Sequence, residues 1–397
     1  MIAQLTPSTL PPPLPGYDLP PVPTGGTRVI LLRHGRSTLN DAGCYQGRLD
    51  LGQLTPQGVA DSQAVGRYLA QCPITKIYTS PLQRAQQTVQ ALLPCLQTHP
   101  PMTVSPWLQE IHLPDWEGQP YATVRSQDAA TYHCWQTTPE RLRMGPDSQP
   151  FYPVQDVYDR ARQFWQTTLP QHCGQTWLVV GHGSSNQALI NTAIGLTARQ
   201  HHLCQQTHSG LTVLDFANTA HGTAQVRCLN TTLDGQLPKL KAGKQGLRIL
   251  LWPLADDSSN LVEIPRLPDI NLNAILVAQN KHPTASHPTS PGDMLTQDLL
   301  RQHPETVMVS VASEQMIHQW PQAIQRSLPA PDQANSTTVL AIAPRALLQR
   351  CFRNLLQVPH LPPSLTLNPQ SLSVIHYPAP ERSPILQGIN LSPTHIL

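Results

Sequence analysis

Charged side chains are scarce in this chain. Asp, Glu, Lys and Arg make up 13% of its 397 residues, about half of the ~25% usual in soluble domains. The two signs nearly cancel, leaving a formal net charge of +2, and no block of like charge occurs. Such a balance does not describe a nucleic-acid-binding surface. Paired cysteines are missing too. Cys44, Cys72, Cys95, Cys134, Cys173, Cys204, Cys228 and Cys351 are scattered with no C-x-x-C spacing, which argues against a disulfide framework or a zinc knuckle and fits a reducing compartment. No apolar run approaches the ~20 residues that cross a bilayer. The opening "MIAQLTPSTLPPPLPGYDLPPVP" lacks the basic start and apolar core of a secretory signal, and the arginines of a transit peptide. A cytoplasmic protein with no membrane and no nucleic-acid partner is expected.

Proline is abundant, at 42 residues, and residues 1–26 read as a Pro-rich, extended arm. Hydrophobic residues at 39% suffice for ordinary cores, and the length is comfortable for two domains. From Thr27 apolar runs alternate with helical patterns. "RVILLR" reads as a buried strand, and "TPQGVADSQAVGRYLAQC" as a helix capped by Thr55. "ITKIYTS" reads as a strand, and "PLQRAQQTVQALLPCL" as a helix opened by Ser80-Pro81. "TWLVVGHGSSNQALINTAIGL" is strand, turn, helix, with "GLTVLDF" and "AQVRCLNTT" as closing strands. This alternation predicts an α/β fold with a mostly parallel central sheet and helices on both faces. The irregular stretch from Glu110 to about Arg162, with Trp116, Trp135 and Trp165 in or next to it, reads as a helical lid.

Residues 27–235 form this first unit and 236–246 read as a linker, after which the pattern restarts. Arg28–Asn40 matches Arg248–Asn260 without a gap. "GLTVLDF" is echoed by "SLSVIHY", "CLNTT" by "GINLS", and "WLVVGHGSSNQALINTAIGLT" by "TVLAIAPRALLQRCFRNLLQVP". Residues 247–397 therefore read as a second, shorter, degenerate copy. Leu254 and Pro344 stand there in place of His34 and His182, so this copy cannot do histidine chemistry.

The polar residues of the first unit gather at strand ends. Arg33 and His34 end the first strand, Arg84 follows the second, and His182 ends the strand "WLVV", at the edge where α/β sheets bind ligands. Two His and two Arg beside helix N-termini suit a phosphomonoester dianion, since a guanidinium matches phosphate oxygens in pairs and keeps its charge. An acid is supplied by Glu110, with Asp115 and Glu117 as competitors. "GHGSS" lacks the G-x-S-x-G of a hydrolase elbow. His201, His202 and His208 lie in a polar helix-to-strand stretch without carboxylates and read as solvent-facing rather than metal-ligating.

"LLRHGRSTLN", "CYQGRLDLGQLTPQG", "YTSPLQRAQQT", "LQEIHLPDWEG" and "VVGHGSSNQALI", in that order, resemble the blocks of the histidine phosphatase (phosphoglycerate mutase-like) superfamily. "YPVQDVYDRARQFW", "NQALINTAIGLT", "GLTVLDF" and "CLNTT" are similar to the plant and cyanobacterial 2-carboxy-D-arabinitol 1-phosphate phosphatases. The resemblance implies His34 as a nucleophile that becomes phosphohistidine, and Arg33, Arg84, His182 and Gly183 around the phosphate. It also implies Ser37 and Asn40 as hydrogen-bond donors to phosphoryl group or substrate, Glu110 as proton donor, and no metal or cofactor. Arg36 departs from the Glu or Gln of relatives; it either adds positive potential at the mouth or points into water.

The expected activity is hydrolysis of a small anionic phosphorylated sugar or sugar acid, such as 2-carboxy-D-arabinitol 1-phosphate. Two alternatives stand beside it: a phosphoglycerate mutase, and a sugar-phosphate-binding or assembly module without turnover. A homodimer or an intrachain contact through the C-terminal part is the expected assembly.

Overall fold

A computed structural model describes residue 22 and residues 25–218, 223–233, 236–240, 245–255, 270–279, 291–313, 316, 336–358, 361–379 and 382–392. The Pro-rich arm lies almost wholly outside the described residues, as do linker residues 241–244.

Strand β1 (Thr27–Arg33) is buried almost throughout because its sequence offers apolar side chains to both faces. Val29 and Leu31 enter one core and Ile30 and Leu32 the other. β1 pairs in parallel with β4 (Thr176–Gly181) and antiparallel with β5 (Leu211–Phe216). Beyond β4 lie β2 (Ile74–Thr79) and β3 (Met102–Val104), both parallel. Beyond β5 lies β6 (Gln225–Thr231), antiparallel. Helix α1 (Thr38–Asp41) follows β1. Helices α2 (Pro56–Tyr68) and α3 (Gln83–Leu92) pack on the Ile30/Leu32 face. Helices α4 (Tyr121–Gln127), α5 (Ala129–Thr137), α6 (Pro153–Thr168) and α7 (Gly183–Ala193) cover the other.

Thr55 caps α2, its Oγ1 accepting from the Gly58 N–H at 3.0 Å. Helix α3 starts at Gln83 rather than at Ser80-Pro81, and Asp50 Oδ1 accepts from the Gln83 N–H at 2.7 Å. The lid expected up to Arg162 ends earlier. Val154, Val157, Tyr158, Ala161, Phe164 and Trp165 form a buried stripe at helical spacing, so α6 is a core helix, with the Trp165 ring 5.2 Å from Phe216. Trp116 and Trp135 remain as the buried centre of the α4–α5 layer.

In the second half β7 (Gly246–Leu254) lies between β10 (Ser336–Pro344), parallel, and β11 (Leu372–Tyr377), antiparallel. β8 (Ala274–Gln279) and β9 (Val307–Ala312) continue past β10, and β12 (Ile385–Leu391) past β11. Helix α8 (Pro291–Gln302) follows β8, and α9 (Arg345–Leu355) follows β10. Among the described residues the twelve strands form one sheet, in the order β3-β2-β4-β1-β5-β6-β12-β11-β7-β10-β8-β9. Read outward from the β6–β12 junction, the two sides repeat the same strand order.

At that junction Leu229 faces Ile389, the two residues equated by the echo of "CLNTT" in "GINLS". Hydrogen bonds around it come in twos. Asn230 Nδ2 donates to Gln387 O at 2.7 Å, and Asn390 Nδ2 to Arg227 O at 3.1 Å. Asn230 Oδ1 accepts from Thr207 N at 2.7 Å, and Asn390 Oδ1 from Asn368 N at 2.8 Å. Both asparagines are left-handed, with φ of 57° and 54°, a conformation that Asn tolerates better than most residues. One hydrophobic core runs under both halves, from Val29 and Trp177 through Leu229 and Ile389 to Ile249 and Phe352.

Candidate active site

β1 and β4 end side by side, with Arg33 opposite Gly181. The next residues, His34 and His182, place their ring centroids 5.0 Å apart. Glycine follows His34 because a Cβ at Gly35 would meet the carbonyl oxygen of Gly58 in α2 at 2.5 Å. His34 Nδ1 lies 2.7 Å from the Gly35 carbonyl oxygen. A carbonyl can only accept, so Nδ1 carries the proton and Nε2 keeps a lone pair. Burial holds this ring well below its ordinary pKa, and His182, Arg84, Arg33 and His208 add to that effect. His182 is likewise depressed by burial first and then by Arg84, Arg33 and Arg160. Its Nε2 lies 2.7 Å from Ser80 Oγ, which also accepts from the Leu82 N–H at 3.3 Å.

The two arginines are held by backbone carbonyls. Arg33 Nη1 donates to Gln206 O at 2.7 Å. Arg84, 1% exposed, donates to Gly47 O at 2.8 Å and Leu49 O at 3.1 Å. Burial lowers both, Arg84 to about 10, and both keep their charge at neutral pH. Arg33 Nε, Arg84 Nε and His182 Nδ1 are buried without a hydrogen-bond partner in the protein. A bound anion would supply acceptors to both guanidinium Nε–H groups.

Glu110 sits at the N-terminus of α7. Its carboxylate accepts from Ser184 N at 3.1 Å, Ser185 N at 3.0 Å and Ile111 N at 2.8 Å. A Cβ at Gly183 would stand 3.6 Å from both Glu110 Oε2 and Arg33 Cζ, so glycine keeps the space between them open. Arg160 of α6 grips the Glu110 loop from behind, donating to Gln109 O at 2.6 Å and Glu110 O at 3.2 Å. Asp156 bridges Arg160 at 2.9 Å and Arg48 at 2.8 Å, tying this loop to the one that holds Arg84. The rival acids are engaged elsewhere. Asp115 is exposed and accepts from Gly145 N at 3.1 Å. Glu117 accepts from Arg48 N, Leu113 N and His112 Nδ1. Burial pushes Glu117 up, but those hydrogen bonds outweigh it and leave its pKa below the ordinary value.

The structure thus brings together Arg33, His34, Arg84, Glu110, His182 and Gly183. Ser37 is not among them. It is fully buried as the N-cap of α1, its hydroxyl 2.8 Å from Asn40 Oδ1 and 3.0 Å from Gln46 Oε1. Asn40 also hydrogen-bonds the Tyr121 phenol, which interacts with Arg33 and Glu110. Arg36 turns to the surface and pairs with Asp41.

Of the histidines expected to face solvent, His201 is buried, and His202 and His208 are half-buried. His201 is fully buried, its ring 5.3 Å from Trp135 and 5.7 Å from Tyr158. His208 places its ring 5.7 Å from that of His34. The signal for His208 was topological: β5 begins beside the end of β1, Leu211 opposite Leu32, so the loop leading into β5 must cover that edge. Tyr121, Ser80, Gln206 and Arg160 were not anticipated either. Ser80 and Arg160 lie within blocks quoted above, and Tyr121 and Gln206 lie in none.

The family description "Histidine phosphatase superfamily (branch 1)" matches residues 29–232. The chain belongs to that superfamily. Among named relatives, the 2-carboxy-D-arabinitol-1-phosphatase of Triticum aestivum is 32% identical over 214 residues, 53% of this chain and 42% of that protein. An Arabidopsis thaliana protein named "Probable 2-carboxy-D-arabinitol-1-phosphatase" is 31% identical over 221 residues, 56% of this chain and 44% of that protein. A 2,3-bisphosphoglycerate-dependent phosphoglycerate mutase of Nocardia farcinica is 29% identical over 185 residues, 41% of this chain and 75% of that protein. The chain spans less than half the length of the two plant relatives. Among the described residues no helix is long and apolar enough to cross a membrane.

Proposed function

We propose that this chain is a phosphoric monoester hydrolase that passes the phosphoryl group of a small anionic sugar or sugar-acid phosphate to His34 and then to water. The observation that carries the reading is a His34 ring whose Nε2 keeps its lone pair, set close to Arg33, Arg84 and His182, where Arg33 Nε, Arg84 Nε and His182 Nδ1 are buried with no protein partner. In this scheme the Ser80 hydroxyl, which accepts from the Leu82 N–H, donates its proton to His182 Nε2, and the ring proton sits on Nδ1 as a donor to the phosphoryl group.

In the first step the Nε2 pair attacks phosphorus, the P–O ester bond breaks, and the leaving alkoxide takes a proton from the Glu110 carboxyl. In the second, water gives its proton to the Glu110 carboxylate as its oxygen attacks phosphorus. The P–N bond breaks, its electrons return to Nε2, and inorganic phosphate leaves. The arginines and the α7 N-terminus carry the electrostatic stabilisation that phosphoryl transfer mainly needs. The second half, with Leu254 and Pro344 at the matching strand ends, takes no part in the chemistry.

The name of the Triticum aestivum relative supports 2-carboxy-D-arabinitol 1-phosphate as substrate. Phosphate release should be measured on it, on p-nitrophenyl phosphate and on 3-phosphoglycerate, with exchange between 2- and 3-phosphoglycerate followed in parallel. Faster release from the sugar-acid phosphate is the expected result. Exchange without release would make the chain a mutase, and binding without either would make it a sugar-phosphate-binding module.

A further inference from the structure

We propose that the second half positions the active site of the first: β12 grips the loop 203–209, and that loop holds Arg33 and sets His208 against His34. The inference rests on the phosphatase reading above and adds a role for the half that carries no chemistry.

The contacts form an unbroken chain. Leu386 N donates to Leu203 O at 2.7 Å, and Gln205 N donates to Leu386 O at 2.9 Å, so the loop pairs with β12 like a short extra strand. The adjacent side chains lock this pairing. Gln387 Nε2 donates to Gln205 Oε1 at 3.0 Å, with both residues buried. Gln387 O also accepts from Asn230 Nδ2, whose Oδ1 receives Thr207 N. On its other side the loop meets the active site. Gln206 O accepts from Arg33 Nη1 at 2.7 Å, Ser209 N donates to Arg33 O at 3.1 Å, and the His208 ring lies 5.7 Å from His34.

Without β12, the Leu203 carbonyl and the Gln205 N–H lose their partners and water takes their place. Arg33 is then left with a mobile acceptor. Displacements of about 1 Å in such a site lower rates by up to about 10²-fold.

The test is full-length Gln387→Leu beside wild type, assayed with p-nitrophenyl phosphate across pH, with a thermal melt as the check on folding. The groups facing His34 are Arg33 on β1, Arg84 on α3, His182 before α7 and His208 on the loop, with the Glu110 carboxylate facing both arginines. Withdrawing Arg33 and His208 removes positive charge near His34 and admits water, both of which favour its protonation. The expected result is a kcat at least tenfold lower with a smaller change in KM, and an acid limb of kcat/KM moved up by half a pH unit or more. Gln387→Glu keeps the size and the acceptor for Arg248 Nε but removes the donor. It should shift the same readouts in the same direction, and it serves if the leucine variant does not fold. A folded variant with wild-type kcat, KM and acid limb overturns the proposal. Failure of both variants to fold also overturns it, since the contact would then serve folding rather than positioning. Absence of turnover in wild type instead overturns the phosphatase reading itself.

Discussion

Where β1 and β4 end, Arg33 lies beside Gly181 and the chain continues into His34 and His182. At the matching edge of the other half Pro253 lies beside Ala343 and Leu254 beside Pro344. The hydrogen bonds behind these edges are the same. Ser209 N donates to Arg33 O at 3.1 Å, and Gln370 N to Pro253 O at 3.1 Å. Asn230 N donates to Thr212 Oγ1 and Asn390 N to Ser373 Oγ, each at 3.1 Å. The two halves thus share these backbone and side-chain contacts and differ in the side chains at the strand ends. Deeper in the sheet the halves differ again. Arg28 faces Asp215 in a buried ion pair joined by Arg227, whereas Arg248 faces His376. Burial lowers His376 to about 4, so it stays neutral beside that arginine.

The sharpest way to break the comparison is at the strand ends. His34→Ala should lower phosphate release by roughly 10⁴-fold or more, the scale on which removing a nucleophile acts. Leu254→Ala should leave the rate within twofold of wild type, and a large loss there would mean that the second edge participates. Glu110→Gln comes next. Steady-state rates on an alkyl phosphate should fall by about 10²–10⁴-fold, and far less on p-nitrophenyl phosphate, whose leaving group needs no proton; equal losses on both would remove Glu110 from the proton-donor role. In the interior, Asp215→Ala removes the buried carboxylate that pairs with both Arg28 and Arg227 and should cost about 3–5 kcal/mol in urea unfolding. His376→Ala loses a neutral hydrogen bond to Gln245 O and should cost about 1–2 kcal/mol.

The smallest effect concerns acid. An unfolded histidine has a pKa of about 6.5, and the folded His376 about 4, so between these values the unfolded chain binds the extra proton. His376 therefore lowers stability as pH falls through that window. His376→Gln should shrink the drop in melting temperature between pH 7 and pH 5, and an unchanged drop would show that His376 is not the group that titrates.

Much of this was readable in the chain before any fold. β1 and β4 are apolar runs that stop at Arg33-His34 and Gly181-His182, and the gapless match of residues 28–40 to 248–260 places Arg28 and Arg248 at equivalent pairings. The parts that were not readable depend on neighbours distant in sequence. Trp165 looked like lid because the turn before α6 hides where the core stripe begins. His208 looked solvent-facing because nothing near it in sequence says that β5 returns beside β1. Ser37 looked like a phosphate ligand by its place in a motif, yet the turn into α1 takes its hydroxyl for a cap. Arg160 acts on Glu110 across fifty residues through backbone carbonyls, which carry no side-chain pattern.

The central claim is that His34 alone, among all the histidines of both halves, takes up the phosphoryl group. Rapid quenching of the full chain during turnover of a ³²P-labelled phosphomonoester, followed by peptide mapping, tests it directly. The account predicts one acid-labile, base-stable label on the peptide containing His34. A label on any other peptide, or turnover with no label at any quench time, would contradict it.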